Sequence, residues 1–385
     1  MIPPDLQAML EPLERFEDIR RKATRLGPGL CDLAYANPYR GVQEDAKSAI
    51  RDALEEDRVL GLQYSPFGGH TAVRRAVADN LRAIHRMDFA FDDVVLTSGA
   101  MAALHIALRV CARPGGEVVV PTPCWLDYPL YVRAIGLTPI LVPSSGGSFD
   151  LDVSAIADAM TERTCAVMLS HPANPTGRIY DREALHLLAG SLADARRSGA
   201  EITLIADESH RDFADPLEYA SAAEVIDRTL IVYSFGKYHF LQGQRVGYAA
   251  VSPNHPSRED VSRELVRWTR ILGLATPTAL MQRAVPRLLG LRHDLGWLSR
   301  WRRRYVDELT ASGHEVVRPD ATLFLYVRTP GARGDFGFIE ELASASVLAL
   351  PAPIFHHEGF FRLSLTGSED MLERALPILG KFGRG

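Results

Sequence analysis

Residues 234–248 read SFGKYHFLQGQRVGY, and two apolar runs, TLIVYS and VGYAAVS, overlap the ends of this segment. Such runs predict buried strands, because a strand that is covered on both faces is apolar along its whole length. Ser234 lies three residues before Lys237, and Arg245 lies eight residues after it. The segment therefore predicts a turn beyond a strand end that presents a serine, a lysine and an arginine together.

Short apolar runs alternate with longer helical patterns from about residue 94 to residue 251. This alternation predicts strand-helix-strand units, and therefore an α/β fold with a mostly parallel central sheet flanked by helices. The candidate strands are DVVLTS (93–98), GEVVVPT (116–122), TCAVMLS (164–170), ITLIAD (202–207), TLIVYS (229–234) and VGYAAVS (246–252).

The pattern changes after about residue 260 to long amphipathic helices and two strand-like runs, ATLFLYVR and FFRLSL. These elements predict a smaller α+β domain. We expect residues 1–40 to form an N-terminal segment that packs on the small domain, residues 41–260 to form the large domain, and residues 261–385 to form the small domain. The 385 residues are enough for two domains, since a single core rarely grows past about 250 to 300 residues.

Composition argues against several classes of protein. Lys and Arg total 43 against 48 Asp and Glu, a formal net charge of -5, which offers no general attraction for nucleic acid. The sequence has neither a signal peptide pattern nor an apolar run of the ~18 to 20 residues that a membrane-spanning helix requires. The four cysteines are widely spaced, as expected of reduced thiols, so we expect a soluble cytoplasmic protein.

We expect no metal site, because the adjacent His356 and His357 lack a supporting ligand pattern.

Polar residues follow several of the predicted strands, at the edge where open α/β sheets bind ligands. The turn at residues 98–100 leads into a helical pattern, whose first amides suit an anion such as phosphate. Asn174, within HPANPTG, follows the predicted strand TCAVMLS, and Asp207 is the last residue of the predicted strand ITLIAD. Each of these features is common in ordinary turns and helix caps. Their occurrence at successive strand ends predicts a ligand site.

Taken together, these segments resemble the fold-type I, class I/II aminotransferases that use pyridoxal 5'-phosphate, over nearly the whole chain. The resemblance implies that Lys237 forms the Schiff base with the cofactor and that Asp207 pairs with the pyridine nitrogen. It also implies that Asn174 hydrogen-bonds the 3'-oxygen of the cofactor. The residues that match the phosphate-binding positions of the family are Ser98, Gly99, Ala100, Ser234 and Arg245.

Further positions match the family outside these segments. Trp125, in PTPCWLDYP, lies where the family stacks an aromatic ring on the cofactor. Tyr64 resembles the tyrosine that reaches the phosphate of the neighbouring subunit, which implies a homodimer with shared active sites. Arg362, in FFRLSL, resembles the arginine that binds the substrate α-carboxylate together with Asn174. The stretch LAYANPY resembles the segment that closes over the substrate, with Ala36 where the family usually has glycine.

One departure affects the expected reaction. His210 lies three residues after Asp207, where aminotransferases of the family usually have tyrosine, and a histidine there resembles the carbon-sulfur lyase branch of the same fold. We predict an aminotransferase that moves an α-amino group between an L-amino acid and a 2-oxo acid, with Lys237 and Asp207 as catalytic residues. The alternatives are a lyase or cyclase acting at the β- or γ-carbon, and a non-catalytic binding module, which the intact Lys237 and Asp207 argue against. Substrate side-chain specificity stays open, with Tyr35, Asn37, Tyr39, Tyr128 and Tyr238 as candidate lining residues.

Overall fold

A computed structural model describes residues 2–56, 61–144, 146–274 and 276–383. The α-helices within these residues are α1 Pro4–Ala23, α2 Glu44–Glu55, α3 Thr71–His85, α4 Ala100–Cys111, α5 Tyr128–Ala134, α6 Val153–Ala159, α7 Arg182–Arg197, α8 Phe235–Tyr238, α9 Arg258–Ile271, α10 Ala279–Leu288, α11 Gly296–Ala311, α12 Gly334–Ser344 and α13 Glu369–Gly380. The strands are β1 Cys31–Asp32, β2 Val94–Thr97, β3 Glu117–Thr122, β4 Thr138–Pro143, β5 Thr164–Ser170, β6 Thr203–Asp207, β7 Thr229–Ser234, β8 Gly247–Val251, β9 Val316–Val317, β10 Phe324–Arg328, β11 Val347–Leu348, β12 Leu350–Pro351 and β13 Phe360–Ser364.

Seven strands form the central sheet, in the order β2-β8-β7-β6-β5-β3-β4. Every neighbouring pair is parallel except the two pairs that contain β8, which runs antiparallel to β2 and to β7. The predicted α/β fold with a mostly parallel sheet is confirmed, and all six candidate strands are present. Strand β4 was missed, because its sequence TPILVP contains two prolines and is partly exposed. Both features suit an edge strand, where a missing amide donor is tolerated.

Helices cover both faces of this sheet, and alternate side chains of one strand show it. Ile205 of β6 packs in a core with residues of α4 and α9. Its neighbours Leu204 and Ala206 pack in a second core with residues of α6 and α7. This alternation is the two-residue period of a strand that is buried on both faces.

A second assembly of elements surrounds the antiparallel sheet β12-β13-β10-β9. Residues of α1, α11, α12 and α13 share one core with these strands, and β1 pairs with β11 beside them. Leu265 of α9 and Met281 of α10 instead join cores of the seven-stranded sheet. On this packing we propose that the large domain extends through α10, past the boundary expected near residue 260. We also propose that the N-terminal segment belongs with the small domain.

Among the described residues, no helix is both long enough and apolar enough to cross a membrane.

Candidate active site

Strands β5, β6 and β7 end at one edge of the central sheet with Ser170, Asp207 and Ser234. Strand β2 runs in the same direction and is followed at this edge by helix α4, which begins at Ala100. The side chains around these ends enclose a cavity of about 210 Å³. Its lining residues are Ala100, Met101, Leu104, Trp125, Tyr128, Ser170, Asn174, Asp207, Ser209, His210, Ser234, Lys237 and Arg245.

Most of the site residues predicted from the sequence meet in this cavity, as the edge position of each strand end requires. The predicted residues on its wall are Ala100, Trp125, Asn174, Asp207, His210, Ser234, Lys237 and Arg245. Ser98 and Gly99 form the turn directly before Ala100.

Three further predicted residues lie outside this wall. Arg362 lies behind it, in contact with Asn174. The carbonyl oxygen of Ala36 accepts a hydrogen bond from Gln242 Nε2 at 3.2 Å, which ties the N-terminal segment to the turn after Lys237. Tyr64 is fully exposed on the surface of this single chain.

Lys237 lies in the short helix α8, directly after strand β7. Ser234 caps this helix, because its Oγ accepts a hydrogen bond from the Gly236 amide at 3.3 Å. The pKa of the Lys237 ammonium is lowered to about 8, chiefly by burial and then by the charge of Arg362, while Asp207 opposes the shift. About a tenth of the amine is therefore uncharged at pH 7.

Asp207 is buried and held by two donors. Its Oδ2 accepts a hydrogen bond from the Tyr128 hydroxyl at 2.8 Å, and its Oδ1 accepts one from the Ser209 amide at 3.0 Å. Burial raises the pKa of the Asp207 carboxyl, whereas the bonds from Ser209 and Tyr128 and the charge of Lys237 each lower it. The two bonds fix the orientation of a carboxylate on the cavity wall, where it can pair with a positively charged group.

The turn before helix α4 and the side chain of Arg245 form a close contact at one side of the cavity. Gly99 has a φ of 83°, in the left-handed region, and a Cβ at this position would lie 2.8 Å from Arg245 Nη2. Arg245 Nη1 donates to the Gln242 carbonyl at 2.8 Å, which holds the guanidinium in place. Ala100, the first residue of α4, lies on the cavity wall together with Arg245, so the start of the helix and the guanidinium suit an anion of phosphate size.

Arg362 of strand β13 is a buried cation with no carboxylate in salt-bridge contact among the residues that the structure describes. Its Nη1 donates to Asn174 Oδ1 and its Nη2 donates to the Ala34 carbonyl, both at 2.9 Å. The guanidinium carbon also lies 4.0 Å from the centroid of the Phe324 ring. Burial lowers the pKa of Arg362 to about 9, an effect that the nearby Tyr35 opposes. A buried guanidinium without a counter-charge suits a carboxylate ligand.

His210 is buried on the cavity wall, with its ring 5.3 Å from that of Phe324. Its Nδ1 has no hydrogen-bond partner within the described parts of the chain. Burial, followed by the charges of Lys237 and Arg362, holds the pKa of the imidazole well below its usual range. His210 is therefore neutral at physiological pH.

Sequence reasoning did not assign several wall residues to the site. The sequence indicates Tyr128 only as a candidate lining residue for the substrate side chain, although it lies three positions after Trp125 in the same motif. Met101 and Leu104 occupy the first turns of α4, one and four residues after Ala100. Their helical spacing places them on one face, which is the signal that could have found them.

Comparison with known proteins identifies the family. A family model described as aminotransferase class I and II matches residues 29–379. A probable N-acetyl-LL-diaminopimelate aminotransferase of Bacillus subtilis is 26% identical over 366 residues, with 92% of this chain and 89% of the relative covered. The aspartate/prephenate aminotransferase of Thermus thermophilus is 28% identical over 371 residues, with 91% of this chain and 90% of the relative covered.

Solved structures agree with this result. An amino transferase from Eubacterium rectale has a TM-score of 0.90 at 24% identity and covers 99% of this chain and 98% of its own, which supports the fold. The aspartate aminotransferase from Thermus thermophilus with maleate has a TM-score of 0.85 at 26% identity, and the match covers 95% of this chain and 96% of that chain.

The names of these relatives favour transamination over the lyase and cyclase alternatives, and the class I and II family uses pyridoxal phosphate as its cofactor. The predicted aminotransferase activity is thus confirmed at the level of reaction class. Since the family model matches nearly the whole chain, this protein belongs to the aminotransferase class I and II family.

Proposed function

We propose that this aminotransferase binds pyridoxal 5'-phosphate in the cavity described above, with Lys237 as its covalent attachment point, and exchanges an amino group between an L-amino acid and a 2-oxo acid. One observation carries the proposal: the amine of Lys237 and the carboxylate of Asp207 belong to the wall of one cavity. Bound there, pyridoxal phosphate supplies an electron sink for the negative charge that develops at the substrate α-carbon.

The residues present fit this cofactor. The contact of Gly99 with Arg245 leaves no room for a Cβ, as expected where backbone and guanidinium together hold a phosphate. Trp125 offers an aromatic face on the wall, and the Lys237 Nζ lies 6.0 Å from the centroid of its ring. His210 lies on the same wall as a buried imidazole.

Asp207 would hold a proton on the cofactor's ring nitrogen. The bonds from Tyr128 and Ser209 stabilise its ionised form, which is the form that can pair with a protonated ring nitrogen. Because the carboxylate is buried, its attraction for that proton is little screened by water. Asp207 therefore keeps positive charge on the ring, where it favours removal of the substrate α-proton.

Lys237 would move the proton at the substrate α-carbon. Its Nζ can accept a proton only as the free amine, and the pKa of about 8 provides a substantial amount of that form near neutral pH. The same shift leaves the conjugate acid able to return the proton. Burial thus prepares Lys237 for both directions of a proton transfer.

Arg362 would bind the substrate α-carboxylate. Its two bonds to Asn174 and Ala34 fix the plane of the guanidinium, so that a carboxylate meets a pre-oriented pair of donors. An α-carboxylate held in this way orients the bond from the α-carbon to its hydrogen relative to Lys237. Arg362 thereby acts on reaction geometry as well as on affinity.

We propose a homodimer in which Tyr64 reaches the active site of the second copy. Three large apolar residues lie close together in this part of the chain and are each at least 43% exposed: Leu62, Tyr64 and Phe67. Such a stretch favours burial against another molecule. A monomeric mass for the active enzyme in solution, or unchanged cofactor affinity in Tyr64→Phe, would contradict this arrangement. We propose the cytoplasm as the location, because the four widely spaced cysteines are those expected of reduced thiols.

Amino donors mixed singly with the purified holoenzyme test the proposed reaction. Relatives named for aspartate, prephenate and N-acetyl-LL-diaminopimelate make L-aspartate and L-glutamate the first donors to try, followed by aromatic and neutral amino acids. Formation of pyridoxamine phosphate in equal amount with the 2-oxo acid supports transamination. Release of ammonia with a 2-oxo acid, without pyridoxamine phosphate, would instead indicate the lyase. Borohydride reduction followed by peptide mass spectrometry should find the cofactor on Lys237.

A further inference from the structure

The turn after strand β6 divides its side chains between two sides. Asp207, Ser209 and His210 line the active-site cavity, whereas Glu208 and Arg211 do not. Glu208 is fully buried and Arg211 is only 7% exposed. These two side chains meet behind the cavity wall, where Arg211 Nη1 lies 3.3 Å from Glu208 Oε2. A buried ion pair therefore closes the turn from behind, on the side away from the cavity.

Glu208 anchors the first half of the turn to neighbouring elements. Ser221 Oγ donates to Glu208 Oε1, and His85 Nε2 lies 3.9 Å from Glu208 Oε2. The Glu208 amide donates to the Val232 carbonyl at 2.8 Å, which joins the turn to strand β7. Both the side chain and the backbone of Glu208 are thus held in place.

Arg211 and Asp212 anchor the second half of the turn to the same strand. The guanidinium carbon of Arg211 lies 4.2 Å from the centroid of the Tyr233 ring and 5.9 Å from that of the Tyr248 ring. A cation over an aromatic face is attracted to it, and more strongly where water is excluded. The Tyr233 hydroxyl donates to Asp212 Oδ2 at 2.6 Å. Tyr233 lies four positions before Lys237, so these contacts join the turn to the strand that leads to the lysine.

We propose that Arg211 is a positioning residue of the active site, which fixes the cavity side chains of its own turn relative to Lys237. It acts through the ion pair with Glu208 and the stack on Tyr233. A buried ion pair adds little net stability compared with apolar side chains of the same volume, so the orientation that it fixes is its main contribution here. The inference rests on the proposed function, in which Asp207 and Lys237 act on one cofactor and a small displacement of either is costly.

The double variant Glu208→Gln/Arg211→Met tests the proposal, because it removes the pair without leaving an unpaired buried charge. In the apoenzyme, the pH dependence of Lys237 acetylation by acetic anhydride, followed by peptide mass spectrometry, gives the pKa of the amine. Asp207 opposes the lowering of this pKa by burial and by Arg362, and the pair itself is not among the described charges that shift it. A carboxylate that leaves its position should therefore let the midpoint fall below about 8, by about half a pH unit.

Arg258→Gln is the matched control. Arg258 pairs with the buried carboxylate of Asp93, directly before strand β2, and neither residue lines the active-site cavity. This variant should lower the Tm and leave the Lys237 midpoint unchanged. In the holoenzyme, the double variant should lower kcat per bound cofactor about tenfold with little change in KM, since the contacts of Arg362 are kept. The control should leave both constants at the parent values.

A Lys237 midpoint that stays at the parent value or rises in the double variant overturns the proposal, and so does a parental kcat per bound cofactor. Should the double variant fold poorly, Arg211→Lys serves in its place, because it keeps a charge beside Glu208 but lacks the planar group that stacks on Tyr233. Failure of the proposed function has a different signature: borohydride would leave no cofactor on Lys237 of the parent, whereas the midpoint is measured without cofactor.

Discussion

The hydroxyl of Tyr128 donates to Asp207 Oδ2 across 2.8 Å, although the two residues are 79 positions apart in the chain. Removing this donor in Tyr128→Phe should raise the pKa of Asp207 further, because the bond favours the ionised carboxyl. We expect kcat to fall about tenfold, which corresponds to the low end of the free energy that a hydrogen bond to a charged group contributes. The acidic limb of the pH–rate profile should move to higher pH.

Tyr131→Phe is the control for this change. Tyr131 lies on the same helix, and its hydroxyl donates to Asp127 Oδ2 at 3.1 Å. Its loss should leave the acidic limb where it is. If Tyr128→Phe kept the parent profile, Asp207 would not depend on this bond.

Arg362→Lys should be a severe substitution. A lysine cannot donate to Asn174 Oδ1 and to the Ala34 carbonyl while presenting a planar pair of donors to a carboxylate. We expect KM for the amino donor to rise about 10- to 100-fold, with a smaller change in kcat. Arg328→Lys, on the neighbouring strand and paired with Glu315 at the surface, should leave KM unaltered. A rise of equal size in both variants would argue against a carboxylate site at Arg362.

Gly99→Ala should weaken cofactor binding. The new Cβ would lie 2.8 Å from Arg245 Nη2, so the guanidinium must move away from the turn that precedes α4. Gly136→Ala separates this clash from backbone strain, because Gly136 has nearly the same φ, 85°, and no atom within 4 Å of its Cβ position. We expect the Kd for pyridoxal phosphate, titrated into the apoenzyme, to rise about tenfold in Gly99→Ala alone. Equal effects would mean that strain, and not the phosphate contact, determines affinity.

The fold followed from the sequence wherever burial was complete. Strands such as β6 and β7 are buried on both faces, so their continuous apolar runs predict them from the local sequence alone. Strand β4 lies at the edge, where prolines and partial exposure break that pattern. Helix α10 follows the expected domain boundary in the chain, yet the partners of Met281 are residues of α2, α3 and the large sheet. The position of α10 in the sequence does not show that the helix packs against the large domain.

In the active site too, the sequence predicts residues that are close in the chain but not contacts between distant residues. Lys237, Ser234 and Arg245 could be grouped because they lie within one short segment after one strand. The contact of Arg362 with Asn174 joins residues 188 positions apart, and no local spacing encodes it. The orientation of Asp207 by Tyr128 is of the same kind. Such contacts depend on how elements far apart in the chain pack against one another, which a residue pattern does not report.

The lowered pKa of Lys237 predicts the pH dependence of cofactor attachment to the apoenzyme. Only the free amine can attack the aldehyde of pyridoxal phosphate, so the rate constant should rise about tenfold per pH unit below pH 8 and level off above it. Arg362→Gln removes a charge that lowers this pKa, so the midpoint should move to higher pH, whereas the exposed Arg133→Gln should not move it. Stopped-flow absorbance across the pH range measures both. A midpoint near 10 in the parent enzyme, the usual range of an exposed lysine, would show that burial does not prepare Lys237 for its role.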